Sequence, residues 1–215
     1  MTGNETISRE RMVRQLAERG IASALVLRAM GEIPRERFVE EALQGKAYSD
    51  VALPIGDAQT ISQPWIVARM SELVEPDGTG KALEIGSGSG YHAAVLSRMF
   101  ERVYSVERRQ ELSRRARETV RSLDIQHVHF KIFDGSYGWS EFAPYRAIIV
   151  TAAAPEIPAP LVEQLETPGN LVLPLSGPGG SQTLVRVIKR ATGIVTERHG
   201  PCRFVPLVGR YGTKA

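Results

Sequence analysis

The chain has 215 residues, 42% apolar and 24% charged, the balance of a globular protein with a sizeable core. Its single cysteine, Cys202, excludes an intramolecular disulfide and leaves a cysteine-based metal site short of ligands. The net charge of +3 is only mildly basic. No run approaches the ~18 apolar residues of a helical membrane span.

The opening residues, "MTGNETISRERMVRQLAERG", hold no apolar core of signal-peptide length. Together with the lone cysteine they point to a reducing, cytoplasmic setting. Residues 8–20 carry an amphipathic helix pattern, with Ser8 as N-cap, Met12, Val13 and Leu16 on one face, and Gly20 as the stop. A second helix is expected from Ser23 towards Met30, and a short one in "GEIPRERFV". "YSDVALPIGDAQTIS" (48–62) reads as loop with one short strand at most. Pro64 suits a first helical position, and Trp65 to Leu73 is apolar at helical spacing. "EPDGTG" (75–80) is a turn cluster. It divides an N-terminal region of helices and loop, residues 1–80, from a core, residues 81–215, the two packed as one structural domain.

From Lys81 the pattern alternates. "KALEI" (81–85), "RVYSV" (102–106), "HVHFKI" (127–132), "AIIV" (147–150), "NLVLPL" (170–175) and "TLVRVIK" (183–189) read as strands. Helices are expected over Tyr91–Phe100 and Gln110–Leu123, with a short one near Ala159–Leu165. This alternation predicts an α/β fold with a mostly parallel sheet and helices on both faces. The basic run "RRQELSRRARETVR" (108–121) is interleaved with Glu111 and Glu118, the mark of a solvated helix face rather than a nucleic-acid patch. The last third has strands and turns but no long helix, which predicts an antiparallel hairpin at the sheet edge.

"EIGSGSG" (84–90) follows a strand and opens a helix, the context a nucleotide loop requires. Gly86, Ser87, Gly88 and Gly90 can approach a ligand closely with their backbone. Three acids sharpen the reading. Glu84 lies two residues before Gly86, Glu107 follows the second core strand, and Asp134 follows the third. All three are expected at the carboxyl edge of the sheet, where open α/β sheets bind ligands. The acid after the second strand is placed for ribose hydroxyls, and Asp134 for an adenine edge. Glu84 would repel a dinucleotide pyrophosphate but welcome a cationic amino group and a sulfonium. The spacing G-x-G-x-G also departs from the dinucleotide pattern. Both observations favour S-adenosylmethionine over NAD.

The segments "YSDVALPIGDAQTIS", "LEIGSGSGYHAAVL", "VYSVER", "FDGSYGW", "APYRAIIVTAAAPEIPAPLVEQL", "GNLVLPLSG" and "RFVPLVG" resemble the protein-L-isoaspartate O-methyltransferase family over most of residues 48–209. The glycine loop marks only the wider methyltransferase class. "QTIS", "TAAAPEIP" and "FVPL", in that order, are specific to the family. The resemblance implies a Rossmann-like seven-stranded methyltransferase sheet, mostly parallel with an antiparallel C-terminal edge, plus N-terminal helices. It implies methylation of the free α-carboxyl of L-isoaspartyl residues in damaged proteins and peptides, leading to repair through a succinimide. S-adenosylhomocysteine is then the product, and the enzyme a monomer without a nucleic-acid or membrane partner.

By the same resemblance Ser62 is the active-site hydroxyl, flanked by Thr60 and Ile61 on the substrate side. Gly86 and Gly88 form the cofactor loop, Glu107 binds ribose, Asp134 and Gly135 contact adenine, and backbone around Val205 holds the isoaspartyl group. Two departures stand out. Ala58 replaces a glycine ahead of "QTIS", and Trp65 stands where a His or Tyr is common. Read without the resemblance, Ser62 serves equally as a helix cap before Pro64.

A carboxylate is ionised at neutral pH, so methyl transfer to it needs no general base. None of His92, His127, His129 and His199 is near Ser62 in sequence, and His127 and His129 should face opposite sides of their strand. Two rivals are a methyltransferase acting on nucleic acid or a small molecule, and a binding module that keeps the cofactor fold. The first lacks an Asn-Pro-Pro-aromatic motif, and the second should show a damaged glycine loop.

Overall fold

The computed structural model describes residues 3–214. Three helices precede the main sheet: α1 (Gly3–Glu18), α2 (Ala24–Glu32) and, after a small hairpin, α3 (Pro64–Leu73). α1 starts earlier than the sequence suggests, so Ser8 lies inside it and caps nothing. Ser23 does cap α2, its hydroxyl accepting the Val26 N–H. Pro64 opens α3, where a missing N–H costs nothing.

Residues 48–62 are more ordered than expected. β1 (Leu53–Gly56) and β2 (Gln59–Ile61) form a small antiparallel hairpin. Its turn residues, Asp57 and Ala58, have φ of +52° and +53°. Two-residue hairpin turns need such angles to match the twist of their strands. An Asp-Gly pair announces this turn in a sequence, whereas Asp-Ala does not.

The main sheet has seven strands in the order β5-β4-β3-β6-β7-β8-β9. They are β3 (Lys81–Ile85), β4 (Arg102–Glu107), β5 (Val128–Ile132), β6 (Tyr145–Val150), β7 (Leu165–Ser176), β8 (Gln182–Arg190) and β9 (Gly193–Pro201). β3 to β7 run parallel; β8 and β9 return antiparallel at the edge. The remaining helices are α4 (Tyr91–Leu96), α5 (Gln110–Arg121) and the short α6 (Ala159–Glu163).

Strand side chains alternate between two cores. Ala82, Ala147, Ile149 and Val172 face a layer that holds Met12 of α1, Met30 of α2, Met70 of α3, Leu96 of α4 and Leu112 of α5. Leu83, Ile85, Ile148 and Val150 face a second, smaller layer. Helices therefore do not share the two faces evenly. The β5–β6 connection contains only single 3-10 turns, and its aromatics cover the second face instead. Trp139 and Phe142 pack on Tyr104 at 5.4 and 4.5 Å between ring centroids. Leu161 of α6 completes that layer. His127 and His129 do point to opposite sides: His127 bonds the Ser97 carbonyl, while His129 stacks on Tyr104.

Candidate active site

The glycine loop turns sharply because Gly86 adopts φ +96°. A Cβ there would meet Thr151 Oγ1 at 2.4 Å. That hydroxyl donates to the carbonyls of Ile85 (3.0 Å) and Gly86 (2.7 Å), locking the end of β3 to the end of β6. Gly90 is needed for packing: a Cβ would come within 3.0 Å of Ala116 Cβ on α5.

At this edge of the sheet lies a cavity of about 260 Å³. Glu84 and Ile85 of β3, Gly86, Ser87 and Gly88 of the loop, and Glu107 at the end of β4 form one wall. Gly135, Thr151 and Val205 add the sides, and Gln59, Thr60, Ile61 and Ser62 of the hairpin segment close over it. Most of the expected site residues are thus brought together. Gly90 and Asp134 are not on the wall. Asp134 accepts hydrogen bonds from the Ser136 N–H (2.9 Å) and hydroxyl (2.7 Å) and from the Arg210 N–H (2.8 Å). It caps a turn and anchors the C-terminal segment, while its neighbour Gly135 faces the cavity.

Glu107 organises the loop. Its carboxylate accepts the N–H groups of Gly88 and Arg109, each at 3.0 Å. Glu84 is different in character. It is fully buried between Leu83 and Ile85, paired in register with Ser105 of β4 and Ile149 of β6. The Ser105 hydroxyl donates to Oε2 and contacts Ser87 Oγ in turn. Oε1 has no partner. Burial pushes the Glu84 carboxyl up to about 8; the Ser105 hydroxyl opposes this, and the charge of Glu107 adds to it. An orphaned buried acid oxygen beside a cavity suits a cationic group and disfavours a phosphate. The residues present therefore fit S-adenosylmethionine, which carries a cationic amino group and a sulfonium.

A second cavity shares Thr60, Ser62, Thr151 and Val205 with the first. Its other walls are Gln63, Trp65, Ile66, Cys202, Arg203 and Phe204. Ser62 stands between the two. Its carbonyl accepts a hydrogen bond from Arg35 Nη2 (2.7 Å), while its hydroxyl bonds no other described residue. A capping role for Ser62 does not hold: the N-cap of α3 is Gln63, and the Trp65 N–H goes to Asp50 Oδ1 at 2.8 Å. The backbone near Val205 is held firmly. Gln182 accepts from the Phe204 N–H (2.7 Å) and donates to its carbonyl (3.0 Å), and the Val205 carbonyl accepts from the Ala153 N–H (2.8 Å).

Among the described residues no histidine is hydrogen-bonded to Ser62. His92 reaches the first cavity but is buried against Ser71 at 2.9 Å, and burial holds its imidazole down to about 3. Burial also pushes the Cys202 thiol up to about 11, so it stays protonated. Sequence reasoning missed Thr151, Ser105, Asp50 and Arg35. Thr151 alone had a usable signal, its place directly after a core strand.

The sequence model of the family Protein-L-isoaspartate(D-aspartate) O-methyltransferase (PCMT) matches residues 7–212. The chain is 50% identical over 211 residues to the protein-L-isoaspartate O-methyltransferase of Geobacter metallireducens, with 97% of each chain covered. It is likewise 50% identical over 211 residues to that of Alkalilimnicola ehrlichii, covering 97% of this chain and 94% of the other. A solved protein-L-isoaspartate O-methyltransferase structure superposes with a TM-score of 0.87 at 33% identity, over 95% of this chain and 67% of that one. A structure from Plasmodium falciparum, assigned to the same enzyme and in complex with S-adenosyl-L-homocysteine, gives 0.80 at 25% identity over 93% of this chain and 98% of that one. With the sheet, the glycine loop and the hairpin segment all in place, the chain belongs to the protein-L-isoaspartate(D-aspartate) O-methyltransferase family.

Proposed function

We propose that Ser62 anchors the accepting carboxylate in the family's reaction. That reaction is methyl transfer from S-adenosylmethionine to the free α-carboxyl of an L-isoaspartyl residue in a damaged protein or peptide. The resulting ester closes to a succinimide, which can reopen to a normal aspartyl residue. The observation that carries the Ser62 role is its unbonded hydroxyl on the wall common to both cavities.

S-adenosylmethionine supplies an electrophilic methyl group on a sulfonium. The chain's part is to bind, orient and exclude water. Glu84 would hold the cofactor's cationic amino group with its free oxygen, and the backbone of Gly86, Ser87 and Gly88 would border the cofactor. Glu107 would take the ribose hydroxyls, and Gly135 would contact the adenine. Gly90 and Asp134 serve indirectly, one by seating α4 on α5, the other by fixing the turn that presents Gly135. Across the divide, Ser62 donates one hydrogen bond to one carboxylate oxygen and leaves the other to attack. Thr60, Ile61 and the backbone at Val205 set the peptide's approach. The substrate carboxylate is already ionised at neutral pH. Orientation then supplies the acceleration, and no proton need be removed.

We read the enzyme as a cytoplasmic monomer acting on polypeptides and not on nucleic acid. Supporting this, the basic run on α5 is engaged locally, with Arg114 paired to Glu111 and Glu118. Among the described residues no helix is long and apolar enough to cross a membrane. Ser62→Ala is expected to lower kcat about 10²-fold, the scale on which a reacting group loses rate when its orientation is lost. Affinity for S-adenosylhomocysteine, read by calorimetry, should stay within about twofold, since that hydroxyl makes no cofactor-loop contact. Unchanged turnover would remove Ser62 from the mechanism.

A further inference from the structure

Arg35 is fully buried and lines neither cavity. Its guanidinium donates two hydrogen bonds, both to backbone carbonyls: Nε to Ala47 and Nη2 to Ser62, each at 2.7 Å. The Tyr91 ring lies 4.7 Å from its central carbon, and Nη1 has no partner. Among the described residues no carboxylate lies within ion-pair distance of it; Tyr91 and, more weakly, Asp50 favour its charge electrostatically. Burial pulls its pKa down, yet a guanidinium remains charged at any working pH. A core that required only stability would do as well with an apolar side chain of similar volume. What this cation achieves is reach. It ties the segment after α2 to residue 47, to the ring that opens α4, and to the backbone of Ser62.

A second tether lies three residues on. Asp50 accepts the Trp65 N–H, and Arg19 pairs with Asp50 and lies over the Trp65 ring at 5.1 Å. The stretch from Ser62 to Trp65 is therefore held at both ends by the N-terminal region. Its Ser62 end depends on Arg35 alone for its carbonyl bond.

We propose that Arg35 is a positioning residue for methyl transfer, setting the place of Ser62 through its backbone carbonyl. The proposal rests on the Ser62 role above. A misplacement of about 1 Å at a reacting group can cost on the order of 10²-fold in rate. The test is steady-state kinetics on Arg35→Met and Arg35→Lys, with S-adenosylhomocysteine titrated calorimetrically to count competent molecules. Expected for Arg35→Met is a kcat per binding-competent molecule lowered about 30–100-fold, with ligand affinity unchanged. Arg35→Lys should fall between it and wild type, because an ammonium can hold one carbonyl but not two in a fixed fork. Placed on Ser62→Ala, Arg35→Met should lower kcat no further. A kcat that drops only in step with the number of competent molecules overturns the proposal, as does a full multiplicative loss in the double variant. Should Arg35→Met fail to fold, an unchanged kcat per competent molecule in Arg35→Lys is the overturning result. A Ser62→Ala enzyme at wild-type rate refutes the Ser62 role itself; a slowed Ser62→Ala beside an unaffected Arg35→Met refutes Arg35 alone.

Discussion

Glu84 is an acid set between Leu83 and Ile85 in the buried part of β3, and its surroundings decide what it can do. Its carboxyl is raised from 4.5 to about 8 by burial. A folded-state pKa above the unfolded value means the native chain holds the proton more tightly. The stabilisation is then full below about pH 4.5 and is lost as pH rises through about 8. The ligand-free protein is expected to lose stability to urea between about pH 5 and pH 8, and Glu84→Gln to lose much less. Parallel curves for the two proteins would show that Glu84 is not buried as described. Glu107 makes a different case, since both its oxygens accept loop N–H groups. Glu107→Gln leaves one of those donors facing an amide N–H. Affinity for S-adenosylhomocysteine should fall by about 1.5–3 kcal/mol, the worth of a charged hydrogen bond; an unchanged titration would contradict the ribose assignment. Both acids were legible in the sequence, because a carboxylate in or just after an apolar strand demands a reason. Ser105 and Arg35 were not, for their meaning lies in partners far along the chain. Arg35 and Ser62 are 27 residues apart, and no local pattern links them.

Among the elements, the β1–β2 hairpin leads directly into Ser62 over the glycine-loop cavity, and its turn contains an imperfect residue. Ala58 sits at φ +53°, a region where an L side chain crowds the backbone. Ala58→Gly removes that crowding but gives the unfolded chain more freedom. The net gain should be about 0.5–1 kcal/mol, visible as a rise of about 1–4 °C in Tm. A lower Tm would mean that the turn does not have this geometry. The core strands and α3 were readable because periodicity and Pro64 act locally. The hairpin hid because its turn lacks glycine. Asp134 shows a subtler gap: its position after β5 was legible, but the Ser136 and Arg210 groups that claim its oxygens come from its own turn and from the chain's far end. Only the folded arrangement moves the cavity-facing position to Gly135.

Over the whole molecule, helices α1 to α5 gather on one face of the sheet while α6 packs on the other, and the N-terminal region shares its core with α4, α5 and the strands. The alternation of strands and helices foretold the sheet. It could not foretell the uneven covering, because aromatic side chains in the β5–β6 connection do the work of a helix there. The consequence for function is that the first 50 residues do more than cover the core. They grip the segment that separates the two cavities. On the proposed reading, this segment presents Ser62 to the carboxylate of one damaged residue type. The most direct test is methyl transfer from labelled S-adenosylmethionine to a matched pair of peptides, identical except for L-isoaspartate or L-aspartate at one position. Base-labile methyl ester on the isoaspartyl peptide alone is the expected result. Equal labelling of both, or of neither while S-adenosylhomocysteine still binds, would contradict it.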